Sequence, residues 1–124
     1  MSKTKFKAWD IQTESMRDVL VIDWVNELID LSGGIIERRP HEVVLMQFTG
    51  LEDKNGVDIC EGDIVEFIPF ETSINNCVVK FERGTFKMEL IRSGSARMLC
   101  NYREDEIEII GNIYENPGLL EASK

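Results

Sequence analysis

The stretch LMQFTGLEDKNGVDICEGDIVEF, from Leu45 to Phe67, decides the fold. The apolar run Val43 to Phe48 leads into it, and its shortness and β-branched start favour a buried strand. Asn55-Gly56 is the preferred pair for a two-residue turn of type I′, whose positive backbone angles those residues tolerate best. Glu61-Gly62-Asp63 reads as a second turn, followed by a strand from Ile64 to Ile68. Turns this closely spaced leave no room for a helix, so the centre of the chain reads as β.

The same grammar continues toward the C-terminus. Pro69 to Asn76 is a polar connection, and Cys77 to Phe81 resumes a strand with Cys77, Val79 and Phe81 on one face. Glu82-Arg83-Gly84 turns the chain into Thr85 to Leu90. There Phe86, Met88 and Leu90 alternate with Thr85, Lys87 and Glu89. Ser93-Gly94-Ser95 loops out, a strand is expected from Glu106 to Tyr114, and Asn116-Pro117-Gly118 ends it.

Toward the N-terminus, Lys3, Lys5 and Lys7 alternate with Thr4, Phe6 and Ala8, which predicts a strand with Phe6 inward. Lysines on the outer face are a common guard of an edge strand. Met16 to Leu31 reads two ways. VLVIDW is β-rich and predicts a strand from Val19 to Trp24, while Trp24, Val25, Leu28, Ile29 and Leu31 also suit one face of a helix. A helical turn over Asn26 to Asp30, stopped by Ser32-Gly33-Gly34, is therefore expected, and Ile35 to His41 reads as an extended connector.

Many short strands without strand-helix-strand alternation give an all-β barrel or roll, with room for one short helix. The chain divides as an N-terminal arm and connector at 1–42 and a barrel domain at 43–124, or runs as one continuous domain.

Composition narrows the function by exclusion. The net charge of -9, at a pI near 4.6, opposes ordinary nucleic-acid binding, which needs basic surface to displace counterions from phosphates. Residues 1–48 carry 8 acidic and 6 basic side chains and residues 49–124 carry 15 and 8, so the net charges are -2 and -7. No apolar run is long enough to cross a membrane and MSKTKFKAWD lacks a secretory apolar core, so a cytoplasmic protein is expected.

Cys60, Cys77 and Cys100 are odd in number and widely spaced, which suggests reduced thiols rather than disulfides or zinc ligands. The single histidine, His41, follows Arg38-Arg39-Pro40 in a loop and belongs to no nucleophilic constellation. No phosphate loop or dinucleotide fingerprint is present. In the acidic run Glu104-Asp105-Glu106, strand alternation would turn Asp105 away from Glu106 and Glu108, against a shared cation. No catalytic residue, cofactor, metal site or small-molecule substrate is therefore expected.

Three blocks, KFKAWD, LMQFTGLEDKNGVDICEGDIVEF and IEIIGNIYENPGLLE, resemble the YopX-like proteins of bacteriophages and prophages in order and spacing. The resemblance implies an SH3-like barrel with an additional N-terminal β part, and homo-oligomers. It implies no activity and carries no catalytic residues. Residues 17–42, 70–76 and 92–103 lie outside the matching blocks.

The motif residues Gly50, Asp53, Asn55, Gly56, Gly62, Asp63, Gly84 and Gly111 are explained by turn and bulge chemistry. The leading expectation is therefore a phage accessory protein that binds a host or phage protein as a homo-oligomeric β module, not an enzyme. Its acidity admits a second reading, a nucleic-acid mimic that occupies a host nucleic-acid-binding protein. A third is weak direct nucleic-acid binding through Lys3, Lys5, Lys7, Arg38 and Arg39.

Overall fold

Strand β1 (Phe6–Asp10) lies between β2 (Ser15–Asp23) and β5 (Val43–Glu52), antiparallel to both, with Ala8 opposite Arg17 on one side and Leu45 on the other. The structure is a computed structural model that describes residues 6–67 and 76–122. Because β1 is interior, Lys7 does not guard a sheet edge as the alternation suggested. Lys7 instead places its Nζ 6.0 Å from the centre of the Phe48 ring, and Lys3 and Lys5 lie outside the described residues. Phe6 does face inward, beside the fully buried Ala8.

The expected helical turn at Asn26–Asp30 does not form. β2 reverses through residues 24–27 into β3 (Leu28–Leu31), which pairs in turn with β4 (Ile36–Arg38). The reason is local. The Asp23 carboxylate accepts the Val25 and Asn26 amides at 3.1 Å each and the Asn26 side-chain amide at 2.8 Å, fixing a tight reversal. Trp24 and Val25 are thrown into solvent, leaving Ile29 and Leu31 buried at strand spacing. The expected connector Ile35 to His41 holds β4 and a 3-10 turn at Pro40–Glu42, with His41 exposed.

The chain forms two compact units, Met1–Phe48 and Thr49–Lys124. Residues Val43 to Gln47 pair with β1, which keeps the first half of β5 in the N-terminal unit. That unit has a small core of Ala8, Val19, Ile29, Leu31 and Val43, closed by Phe6, Ile22, Ile36 and Leu45.

The second unit contains β6 (Asp58–Cys60), β7 (Asp63–Phe67), β8 (Asn76–Glu82), β9 (Thr85–Leu90), β10 (Ala96–Met98), β11 (Ile107–Asn112) and a short helix α1 (Gly118–Ala122). Its core gathers Ile59, Val65, Cys77, Val79, Met88, Leu99 and Ile107. Met88 is fully buried with Phe86 and Leu90 packed against that core, as the alternation of β9 requires.

The two sheets run β4-β3-β2-β1-β5-β6 and β10-β9-β8-β7-β11, and every described strand pairing is antiparallel. The protein is all-β with one short α-helix among the described residues.

Type I′ geometry occurs at a different place from the one expected. Asn55 does not take a positive φ; only Gly56 does, at 78°. The Gly56 amide donates to the Asp53 carbonyl at 3.0 Å and the Asp53 amide to the Val57 carbonyl at 2.9 Å, a turn closed by a glycine bulge. It is Arg83 and Gly84, at 52° and 78°, that make the two-residue turn between Glu82 and Thr85.

Candidate functional site

The turn residues singled out in the sequence are engaged in holding the second unit together. Asp53 is buried, and its Oδ1 accepts the amides of Asn55 (2.9 Å) and Val57 (3.0 Å) while Oδ2 accepts that of Ile109 (3.0 Å). One carboxylate thus ties the turn to β11. Burial pushes its pKa up, but the three amides together outweigh burial and hold it below the ordinary carboxylate value.

Asp63 accepts the Cys60 amide at 2.7 Å. The Gly62 amide donates to Val79, and the Gly62 carbonyl accepts the Ile113 amide. Gly111 sits at the register shift of β11, where a Cβ would meet the Asn116 Oδ1 at 2.6 Å. Gly50 lies exposed in β5, Gly84 in the turn already described, and the Asn55 side chain donates to Glu108 at 3.3 Å. The structure brings Asp53, Asn55 and Gly56 together in one turn; it assembles no reactive group from them.

The same turn borders an open cleft of about 590 Å³ lined by Glu52, Lys54, Tyr102, Arg103 and Asp105. Its basic groups are engaged within the chain: Lys54 lies 3.5 Å from Glu108, and Arg103 pairs with Asp105 at 2.7 Å. Glu104–Glu106 is a 3-10 turn rather than the start of a strand, so the expected alternation of these acids does not apply. Reaching back to its own neighbour, Arg103 lowers the pKa of Asp105 by hydrogen bonding.

The N-terminal unit holds what the sequence reading missed. Asp10 is fully buried and accepts Arg38 through both oxygens, at 2.9 Å from Nε and 3.1 Å from Nη2, and Thr13 at 2.6 Å. The Arg17 Nε stands 3.7 Å from the Asp10 Oδ2, and its Nη1 donates to the Ser32 carbonyl. The Arg38 hydrogen bonds hold Asp10 well below the usual carboxylate range against the opposing effect of burial. Arg38 was expected in a basic patch, yet its side chain is committed to Asp10. An Asp on the inward face of one strand, bonded to an Arg 28 residues away on a strand that it does not pair with, leaves no local signal in the sequence.

That unit also shows an apolar exterior. Trp24, Val25 and Ile35 are among the most exposed large side chains, at 67%, 91% and 103%, and Leu20 stands at 60%. Leu20 and Ile35 line a cleft of about 240 Å³ with Leu31 and Ile36, flanked by Asp30 and Glu37.

Compared with known proteins, residues 5–121 match the model of the family described as YopX protein. The chain belongs to the YopX family. Among solved structures, protein EF1440 from Enterococcus faecalis is 31% identical, with 94% of this chain and 96% of that chain covered at a TM-score of 0.66. Protein yopX from Bacillus subtilis is 20% identical, with 95% and 98% covered at a TM-score of 0.60. Among curated proteins none matches.

In this YopX-family chain the conspicuous central motif is absorbed by the architecture, whereas the exposed apolar groups Leu20, Trp24, Val25 and Ile35 fall in residues 17–42, outside the family-like blocks. The signal that could have found them was in the sequence. Val25 and Ile35 adjoin turn residues, where an apolar side chain has no strand face to bury it. Among the described residues no helix is long and apolar enough to cross a membrane.

Proposed function

We propose that the protein is a phage or prophage accessory factor that works by binding rather than catalysis, as a homo-oligomeric β module that contacts a protein partner. One observation carries the reading. Of the nine large apolar side chains exposed among the described residues, six (Ile11, Leu20, Val21, Trp24, Val25 and Ile35) belong to the unit Met1–Phe48. Exposed apolar side chains concentrated in one unit favour association, because each aromatic or aliphatic group withdrawn from water contributes about 1.5 to 3 kcal/mol when fully buried.

Light scattering at about 10 to 100 micromolar tests self-association, a range at which weak assemblies with micromolar dissociation constants populate. Each copy carries a charge of -9, so raising salt screens repulsion and leaves the apolar contacts intact. Assembly should persist or strengthen with salt, and Trp24→Ser with Val25→Ser should shift it toward monomer at an unchanged melting temperature. A monomer throughout that range overturns the homo-oligomer.

The net charge of -7 on residues 49–124 supports a second reading, an acidic mimic of nucleic acid. Salt separates the two. Capture of a nucleic-acid-binding partner by the mimic should weaken steeply between low and moderate salt.

A further inference from the structure

Asp30 and Glu37 stand directly opposite each other across the β3–β4 ladder, on the same face of the sheet. Like charges in this position repel and destabilise the strand pair. None of the ion pairs among the described residues includes either carboxylate. Both line the cleft whose apolar wall is Leu20, Leu31, Ile35 and Ile36, and Leu20 and Ile35 are 60% and 103% exposed there. β4 is the terminal strand of its sheet. Uncompensated negative charge, an apolar wall and a sheet edge therefore coincide in one place.

We propose that this cleft receives an extended basic segment of a protein partner, with an aliphatic side chain against Leu20 and Ile35 and a neighbouring Lys or Arg bridging Asp30 and Glu37. The inference rests on the reading that the protein works by binding, and it adds the place and the chemistry of the partner. Charge selects this occupant. A second copy brings a further charge of -9 to two carboxylates that no ion pair among the described residues includes, whereas a basic segment relieves the Asp30–Glu37 repulsion as it binds. An edge strand also offers backbone groups to an extended chain, which adds affinity without dictating sequence.

The probe is a fluorescein-labelled peptide of alternating leucine and lysine, compared with its leucine and glutamate counterpart, read by anisotropy and by amide shift mapping. The lysine peptide should bind, the glutamate peptide should not, and shifts should centre on Asp30, Ile36 and Glu37. Asp30→Asn with Glu37→Gln should weaken binding about tenfold. Its melting temperature should stay level or rise, since repulsion is removed. Asp58→Asn with Glu82→Gln removes the same charge from the second unit and leaves both cleft carboxylates in place, so it should change binding less than about twofold.

Equal weakening by the two double variants, shifts spread over residues 49–124, or no binding of the lysine peptide would each overturn the proposal. Light scattering on the same samples keeps the two readings apart. Intact self-association without peptide binding sinks the cleft alone, and peptide binding by a monomer sinks the homo-oligomer alone.

Discussion

Asp10 and Arg38, 28 residues apart in sequence, form a two-pronged ion pair in which Nε and Nη2 of the arginine reach separate carboxylate oxygens at 2.9 and 3.1 Å. The carboxylate is fully buried. Removing one partner of such a pair leaves an uncompensated charge, which costs about 3 to 5 kcal/mol. Arg38→Met should therefore destabilise strongly in urea unfolding, and Asp10→Leu combined with Arg38→Met should recover much of the loss. A cost below about 1 kcal/mol for Arg38→Met, the range of an exposed ion pair, would contradict the assignment.

The same pair sets a dependence on acid. Asp10 is lowered chiefly by Arg38, and Asp53 is lowered by its three amides against the larger single effect of burial. A carboxylate whose pKa is depressed in the folded state stabilises the fold above the unfolded value, and that contribution disappears as pH falls through the folded value. Stability should thus be flat above about pH 5 and decline as pH drops below about 4, near the unfolded carboxylate pKa. Asp10→Asn should flatten the decline in pH-dependent urea midpoints; a slope equal to that of the unaltered protein would refute the link.

Asp53 makes a sharper local prediction. Asp53→Ala leaves the amides of Asn55, Val57 and Ile109 without their acceptor, and each amide kept from water costs about 1 to 3 kcal/mol. Hydrogen exchange at Ile109 should accelerate along with the general loss of stability. Asp53→Asn keeps one acceptor oxygen and should preserve either the turn or the link to β11, but not both. Unchanged exchange at Ile109 in the alanine variant would show that the strand holds without the carboxylate.

How much of this was legible in the chain depends on the range over which each cause acts. The β9 alternation and the turn at Arg83-Gly84 are set by neighbours, and Phe86, Met88 and Leu90 lie where a period of two places them. The helical reading of residues 26–30 failed because Asp23, by accepting two amides, spends Trp24 and Val25 on a hairpin tip and removes them from the apolar pattern. Position in the sheet was invisible. A lysine such as Lys7 on the outward face of β1 looks the same in the sequence whether the strand is an edge or is flanked by β2 and β5. The Asp10–Arg38 pair and the Asp30–Glu37 opposition depend on tertiary register, which composition does not encode.

Thiol reactivity tests the core of the second unit. No disulfide forms among the described residues; Cys60 and Cys77 are buried while Cys100 is exposed. Burial pushes the Cys77 thiol up to about 11, so little thiolate is present there at neutral pH. An aromatic disulfide reagent at pH 8 should consume one thiol quickly and two only on unfolding, with the fast phase absent from Cys100→Ser. Rapid reaction at all three positions would mean that this core opens readily.

Arg83 offers a stabilising substitution. It holds a φ of 52° beside Gly84 at 78°, in the two-residue turn that joins β8 to β9. The left-handed region costs an ordinary L-residue about 1 to 2 kcal/mol, and asparagine is the side chain that best offsets that strain in a turn of type I′. No ion pair among the described residues involves Arg83, so its replacement forfeits no salt bridge. Arg83→Asn should raise the urea midpoint by the equivalent of about 0.5 to 1 kcal/mol, part of that strain. Arg83→Val, branched at Cβ, should lower it. The two variants share the loss of positive charge, so a shift of opposite sign between them isolates the backbone as the cause, and a shift of the same sign would return the effect to electrostatics.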